Sequence, residues 1–334
     1  YPVIFRGSRY ADRHPIGTVE SIETFDHAAL RRFYEDWYRP DLMAVIAVGD
    51  FDAEEIERLV IEHFEHLENP ADPRPRPEFP VPDHEETLFS IVTDPELTST
   101  SVSVYHKMDV NRDWTIGGYR RALVENLYNS MLNERFREIA LKPGAPFLSA
   151  SSSWGELIDT KAAYVLSARV PEGGVEEGLR AVLTEAERVA RYGFTESELE
   201  RAKTEALRGI EQSYRRRADR TSSAYAEEYT RAFLTGESIP GIEYEYELYQ
   251  RFIPEITLED VNALAREWVR ETNRVVLVTA PASQAASLPD EGRLAGVLAS
   301  VADQEITPYE DGLAGADLLD TPPPGGAIVD VRER

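Results

Sequence analysis

Six prolines, at positions 70, 73, 75, 77, 80 and 82, fall within the fifteen residues from Glu68 to Pro82. Proline fixes φ near about −65° and has no backbone N–H, so this stretch can be neither helix interior nor central strand. It reads as a stiff, extended linker. It divides the 334-residue chain into residues 1–67 and a part that begins near residue 85, and 42% hydrophobic residues are enough for two ordinary cores.

Ahead of the linker, residues 1–22 read as loop, punctuated by Pro2, Gly7, Pro15 and Gly17. Phe25, Leu30, Phe33, Tyr34 and Trp37 follow near helical spacing until Pro40, which predicts a helix over 26–38. Leu42 to Val48 is a short apolar run, β-branched at its centre, and predicts a strand covered on both faces. Asp52 caps a second helix, in which Ile56, Leu59, Val60 and Phe64 turn inwards.

After the linker, two strands are expected around the Asp94-Pro95 turn, then a long helix from Trp114 to about Leu141. Phe147–Trp154 and Ala162–Val170 read as strands, and Val175–Tyr192 as a helix stopped by Gly193. Thr195 and Glu198 form a capping box for the next helix, which runs to about Arg217. Helices over about 220–235, 243–252 and 257–270 lead to a closing strand, Arg274–Thr279. The pattern predicts an α+β fold: one sheet with helices packed mainly on one face.

The net charge of −25 sets 61 acidic side chains against 36 basic ones and argues against nucleic-acid and anionic-lipid partners. No run is long and apolar enough for membrane insertion. The absence of cysteine excludes disulfides and thiolate metal sites and fits an oxidising or a reducing compartment. There is no Gly-x-Ser-x-Gly, phosphate loop or dinucleotide fingerprint.

Several segments carry a family resemblance. The helix with Phe33-Tyr34, then Tyr38-Arg39-Pro40, the apolar run, Val48-Gly49-Asp50-Phe51 and the acidic helix ending at Phe64 resemble the second half of the catalytic domain of pitrilysin/insulinase metallopeptidases, the inverted zincins. His14-Pro15-Ile16-Gly17-Thr18 with Glu20 and Ile22 resembles the loop ahead of it. Thr195 to Lys203 and Ile256 to Val261 are similar to helix starts in the family's second domain. The resemblance implies a repeated insulinase-type α/β domain with an antiparallel-rich sheet. It places residues 1–67 as the C-terminal part of a catalytic-type first domain, 68–84 as linker, 85–281 as a second domain and 282–334, with the run Pro322–Gly326, as an extended connector.

The family's zinc site is His-x-x-Glu-His on a helix, where two histidines hold the metal and the Glu activates water. This sequence lacks that pentapeptide. Its nearest string is Glu62-His63-Phe64-Glu65-His66, with Phe64 expected in the core and the histidines towards solvent. The resemblance therefore implies a fragment, with zinc held in the intact protein by sequence ahead of Tyr1 and none bound by this segment. His14, in its loop, reads as a structural or hydrogen-bonding group, and the isolated His27, His84 and His106 are assigned no chemistry.

In related enzymes an Arg on the long helix and a Tyr on the following strand hold the substrate backbone. The matching positions here are Arg135 and Phe147, the expected substrate-binding residues, although Phe147 cannot donate a hydrogen bond. The competing reading pairs Arg135 with Glu134 or Glu138. Together these features imply the supporting part of a zinc-dependent endopeptidase that degrades or processes peptides. Its implied partners are peptide substrates and the remaining domains of the same chain or a homologous subunit, in the periplasm or cell envelope in preference to the cytoplasm. The alternative is a non-catalytic scaffold or regulatory subunit of the same family.

Overall fold

The computed structural model describes residues 1–13 and 15–312. Three helices precede the linker: α1 (Val19–Thr24), α2 (His27–Trp37) and α3 (Ala53–Phe64). The rest is a mixed five-stranded sheet with helices, in the order β1 (Leu88–Asp94), β2 (Thr100–Met108), α4 (Ile116–Ala140), β3 (Ser149–Ile158), β4 (Lys161–Val170), α5 (Val175–Tyr192), α6 (Glu196–Arg215), α7 (Ser222–Thr235), α8 (Ile242–Glu255), α9 (Leu258–Trp268), β5 (Arg274–Pro281) and α10 (Glu291–Asp303). The sheet order is β1-β5-β2-β4-β3, with β1 and β5 parallel and the other pairs antiparallel. This is the expected α+β class. Side chains thus alternate between two faces, and Val102, Val104, Tyr164, Leu166, Val276 and Val278 turn into the core under the helices.

Local chemistry sets the boundaries. Thr115 caps α4, and Thr195 with Glu198 and Thr257 with Asp260 form the capping boxes of α6 and α9. Gly193 ends α5 at a φ of 74°, a backbone state that L side chains disfavour. At Gly178, one turn into α5, the constraint is contact: a Cβ there would stand 2.3 Å from Val170 Cγ1 on β4.

Several expectations differ from the structure. Residues 43–48 form no strand: Met43 and Val45 are about half exposed, because a strand needs a partner to take its N–H and C=O groups and the described residues offer none. The same lack of a covering layer leaves α1, α2 and α3 without a buried residue, so Phe64, expected in the core, faces outwards, as does Phe33. Part of the expected extended connector is folded. Leu294, Val297 and Val301 of α10 join the main core, and residues 304–311 run back over α5 and α6, held by Arg191 bonding the Gln304 carbonyl and by Tyr192 bonding the Ile306 carbonyl. The run Pro322–Gly326 and His14 lie outside the described residues.

Residues 1–22, expected as loop, carry a short turn at Arg9–Ala11 and the start of α1, whose Thr18 and Ser21 form a capping box; Phe5 and Ala11 close a second small core with Val81 of the linker. Lys107 Nζ donates to the Ile4 carbonyl at 2.9 Å and ties this segment to β2.

One end of the sheet holds a polar row. His106 on β2 lies opposite Arg274 on β5 and Tyr164 on β4, and Tyr164 opposite Trp154 on β3. The Trp268 ring stacks on Tyr164 with centroids 4.8 Å apart, and His106 Nδ1 lies 2.9 Å from the Arg270 carbonyl. Burial, reinforced by the charge of Arg274, pushes the His106 imidazole down from 6.5 to about 4, so it is neutral at pH 7.

Two stability outcomes follow. Replacing Gly178 by Ala gains about 1 kcal/mol of helix propensity and loses about 1–3 kcal/mol to overpacking against Val170. A lower urea midpoint is expected, and a raised one contradicts the packing argument. His106 is depressed on folding, so its contribution is complete above pH 6.5 and lost as pH falls towards 4, about 3 kcal/mol in all. Urea titrations from pH 7.5 to 4.5 are expected to show a shallower decline for His106→Gln than for the native chain; equal slopes remove His106 as the cause.

Candidate functional site

Arg135 sits five residues from the end of α4, on the side that faces α5 and α6, and is almost wholly buried. It does not pair with Glu134 or Glu138. Glu134 is taken by Arg137, and Glu138 accepts a hydrogen bond from the Tyr309 hydroxyl at 2.7 Å. The partner of Arg135 is Glu198, sixty-three residues away: Nε donates to Oε1 at 2.6 Å and Nη2 to Oε2 at 2.9 Å. This two-point fork is the strongest geometry open to the pair.

The same Glu198 closes the capping box of α6, where its Oε2 accepts from the Thr195 N–H at 2.8 Å and from the Thr195 hydroxyl at 2.9 Å. One carboxylate thus ends one helix and ties it to another. Around the guanidinium, Nη2 also donates to the Gly193 carbonyl at 3.3 Å, and Glu185 lies 3.9 Å from Nη1. Its two faces are covered by the rings of Phe194 at 4.9 Å and Tyr309 at 4.1 Å. Tyr309 belongs to the returning segment 304–311, which therefore forms a lid over the ion pair.

Phe147 lies two residues ahead of β3 and is also buried, its ring set edge-on to Phe136 at 6.0 Å. The two expected substrate-binding residues are close in the fold, since Phe136 follows Arg135 directly, yet neither side chain reaches solvent. In this arrangement their chemistry is that of a frame: a desolvated ion pair and an aromatic contact that fix α4, α5, α6 and β3 together.

The string Glu62 to His66 has both histidines exposed on and just past α3. Among the described residues, no three His, Cys, Asp or Glu side chains converge on one point where a metal ion could sit. Sequence reasoning missed Glu198 as the partner of Arg135, because nothing local links the two. It also missed Arg274, whose importance comes from lying beside His106 in the sheet.

Removing one member of a buried pair leaves the other uncompensated. Arg135→Met is therefore expected to cost about 3–5 kcal/mol of unfolding free energy, through the stranded Glu198 and Glu185. Adding Glu198→Leu forfeits the cap, worth about 1 kcal/mol, but removes a buried charge, so the double variant is expected to be more stable than Arg135→Met alone. Additive losses in urea denaturation overturn this account.

Comparison with known proteins places this geometry. A family model described as the peptidase M16 inactive domain matches residues 24–206. The chain is 30% identical over 330 residues to the zinc protease PQQL-like protein of Arabidopsis thaliana, which covers 98% of this chain and 32% of that protein. It is 25% identical over 279 residues to the probable zinc protease PqqL of Escherichia coli strain K12, covering 80% of this chain and 28% of that one. The crystal structure of the periplasmic protease PqqL from Escherichia coli shares the fold, with a TM-score of 0.82 at 18% identity over 96% of this chain and 36% of that chain. With 32% and 28% of those two proteins covered, the chain spans about a third of the length of these curated relatives. Its match to the inactive-domain model over more than half its length shows that the chain belongs to the peptidase M16 family, the pitrilysin/insulinase group that its motifs resemble.

Proposed function

We propose that this chain is the supporting, non-metal-binding part of a zinc-dependent endopeptidase that degrades or processes peptides. The observation that carries this reading is the match of residues 24–206 to the inactive domain of a peptidase family, in a sequence without His-x-x-Glu-His. The names of the relatives, zinc proteases, agree with it. The exposed apolar residues of 25–67 support the same view. Leu30, Phe33, Tyr34, Ile61 and Phe64 and the unpaired run at 43–48 are surfaces of a domain that other sequence completes. In this reading residues 1–67 end a first domain, 68–84 link it to a second at 85–281, and 282–334 connect onwards. The intact protein's zinc is held outside this chain, and its partners are peptides together with the remaining domains or a homologous subunit. Arg135 and Phe147 serve the peptide indirectly, by fixing the frame behind it. The location is the periplasm, a reading supported by the fold shared with a periplasmic protease of Escherichia coli.

The full-length product of the encoding gene is the material for the test. It is expected to hydrolyse a quenched-fluorescent, unstructured peptide, to lose that activity to a zinc chelator and to regain it with added zinc, while residues 1–334 alone cleave nothing. A zinc-loaded full-length protein that cleaves no peptide and still binds a homologous subunit overturns the peptidase reading in favour of the scaffold.

A further inference from the structure

A groove of about 530 Å³ lies between α10, α5 and the end of the sheet. Thr87, His106 and Arg274, three members of the polar end of the sheet, line it on one side. Phe89, Leu183, Val269 and Leu298 supply apolar walls, and Ala295 and Ala299 of α10 are too small to fill the space between them.

Two groups in this groove are short of partners. The half-buried Arg274 guanidinium donates from Nε to the neutral Thr87 hydroxyl at 2.9 Å, and among the described residues no carboxylate lies within ion-pair distance of it. Burial pushes its pKa down, and Glu271 acts on its charge without pairing. Desolvating a cation without an anion is costly, and a ligand anion removes that cost. The second group is His106. Nδ1 lies 2.9 Å from the Arg270 carbonyl and 3.3 Å from the Arg270 N–H; a carbonyl cannot donate, so the shorter contact needs the proton on Nδ1, which leaves a lone pair on Nε2. Nε2 is buried and has no hydrogen-bond partner among the described residues. The other charges at the groove are Glu187, already held by Arg191 at 2.6 Å, Glu271 and Arg270. In a chain of net charge −25, two arginines against one uncommitted acid make this a local exception that tolerates an anion.

An anionic head for Arg274, an adjacent N–H donor for His106 and an apolar branch for the walls are the three parts of one chemical unit. We propose that this groove binds the C-terminal residue of a peptide when that residue is apolar, with its carboxylate on Arg274, its amide N–H towards His106 and its side chain against Phe89, Leu183 and Leu298. The peptide as the ligand's source rests on the peptidase reading; the recognition chemistry does not.

The test is calorimetric titration of residues 1–334 with acetyl-Ala-Ala-Leu bearing a free carboxylate. The same peptide as its C-terminal amide and octanoate serve as controls. Saturable one-to-one binding with a Kd below about 1 mM is expected, weakened about tenfold or more by amidation or by Arg274→Gln. Ala299→Phe, on the exposed face of α10, fills the groove without touching either polar group and is expected to weaken binding about as much. Melting curves establish that each variant is folded, and Ala299→Phe keeps the test decisive if Arg274→Gln is not. No saturable binding at about 5 mM peptide, or equal binding by amide and acid or by native chain and folded variants, overturns the site. Octanoate binding as tightly as the peptide overturns the peptide assignment, because octanoate carries no N–H. Binding is read on this chain without turnover, so its failure leaves the peptidase reading standing, and absence of hydrolysis by the full-length protein leaves the site standing.

Discussion

The buried fork between Arg135 and Glu198 is the interaction on which the helical layer depends. Two charges are removed from water, and only good geometry and further hydrogen bonds offset that cost. Both conditions hold: Glu198 accepts two bonds from Arg135 and two from Thr195, while Arg135 is enclosed by Phe194 and Tyr309. The arrangement is specific because a slip of α6 by one residue would undo its cap and strand the arginine together. The strap at 304–311 is bound to the same point through Tyr309, and Arg201 holds Asp311 at 2.7 Å beside it. The segment that follows α10 is thereby fastened at the place where three helices are joined.

The two ends of the described chain show the opposite condition. Within residues 85–306 the sheet and α4, α5, α6, α8, α9 and α10 share one large apolar core, whereas α1, α2 and α3, like the peripheral α7, bury no residue. Helix formation there rests on caps, with Asp26 accepting from the Ala28 N–H and Asp52 from the Glu55 N–H. Caps contribute about 1 kcal/mol each and stabilise helices without fixing where they pack. A periodic apolar face with no covering layer is the physical content of the proposal that this unit belongs to a larger domain.

The groove beneath α10 arises from a different constraint. Strand register brings Arg274 and His106 side by side, and the α9–β5 turn supplies the Arg270 carbonyl that sets the imidazole tautomer. Small residues on α10 then leave space above them. Among the described residues the Arg274 charge has no carboxylate partner and His106 Nε2 no hydrogen-bond partner, in contrast to Arg135, whose charge is paired with Glu198.

The sequence by itself determined the fold class and the elements of residues 85–281, but neither α1 nor α10. Alternation and apolar runs gave β1, β2, β4 and β5, and Gly193, Thr195 and Thr257 marked helix ends because caps and positive φ act within a few residues. The family resemblance, carried by local motifs, was legible for the same reason. Only the tertiary structure decided what those elements meet. The apolar run at 43–48 looks like a strand in sequence, yet a strand exists only with a hydrogen-bonded neighbour, and the described residues provide none. Arg135 was legible as a residue of note but not its partner, since a pair sixty-three residues apart leaves no periodic trace. The same holds for Arg274 beside His106: their adjacency is a product of sheet register, which is set by the packing of whole faces and not by either residue's neighbours in the chain.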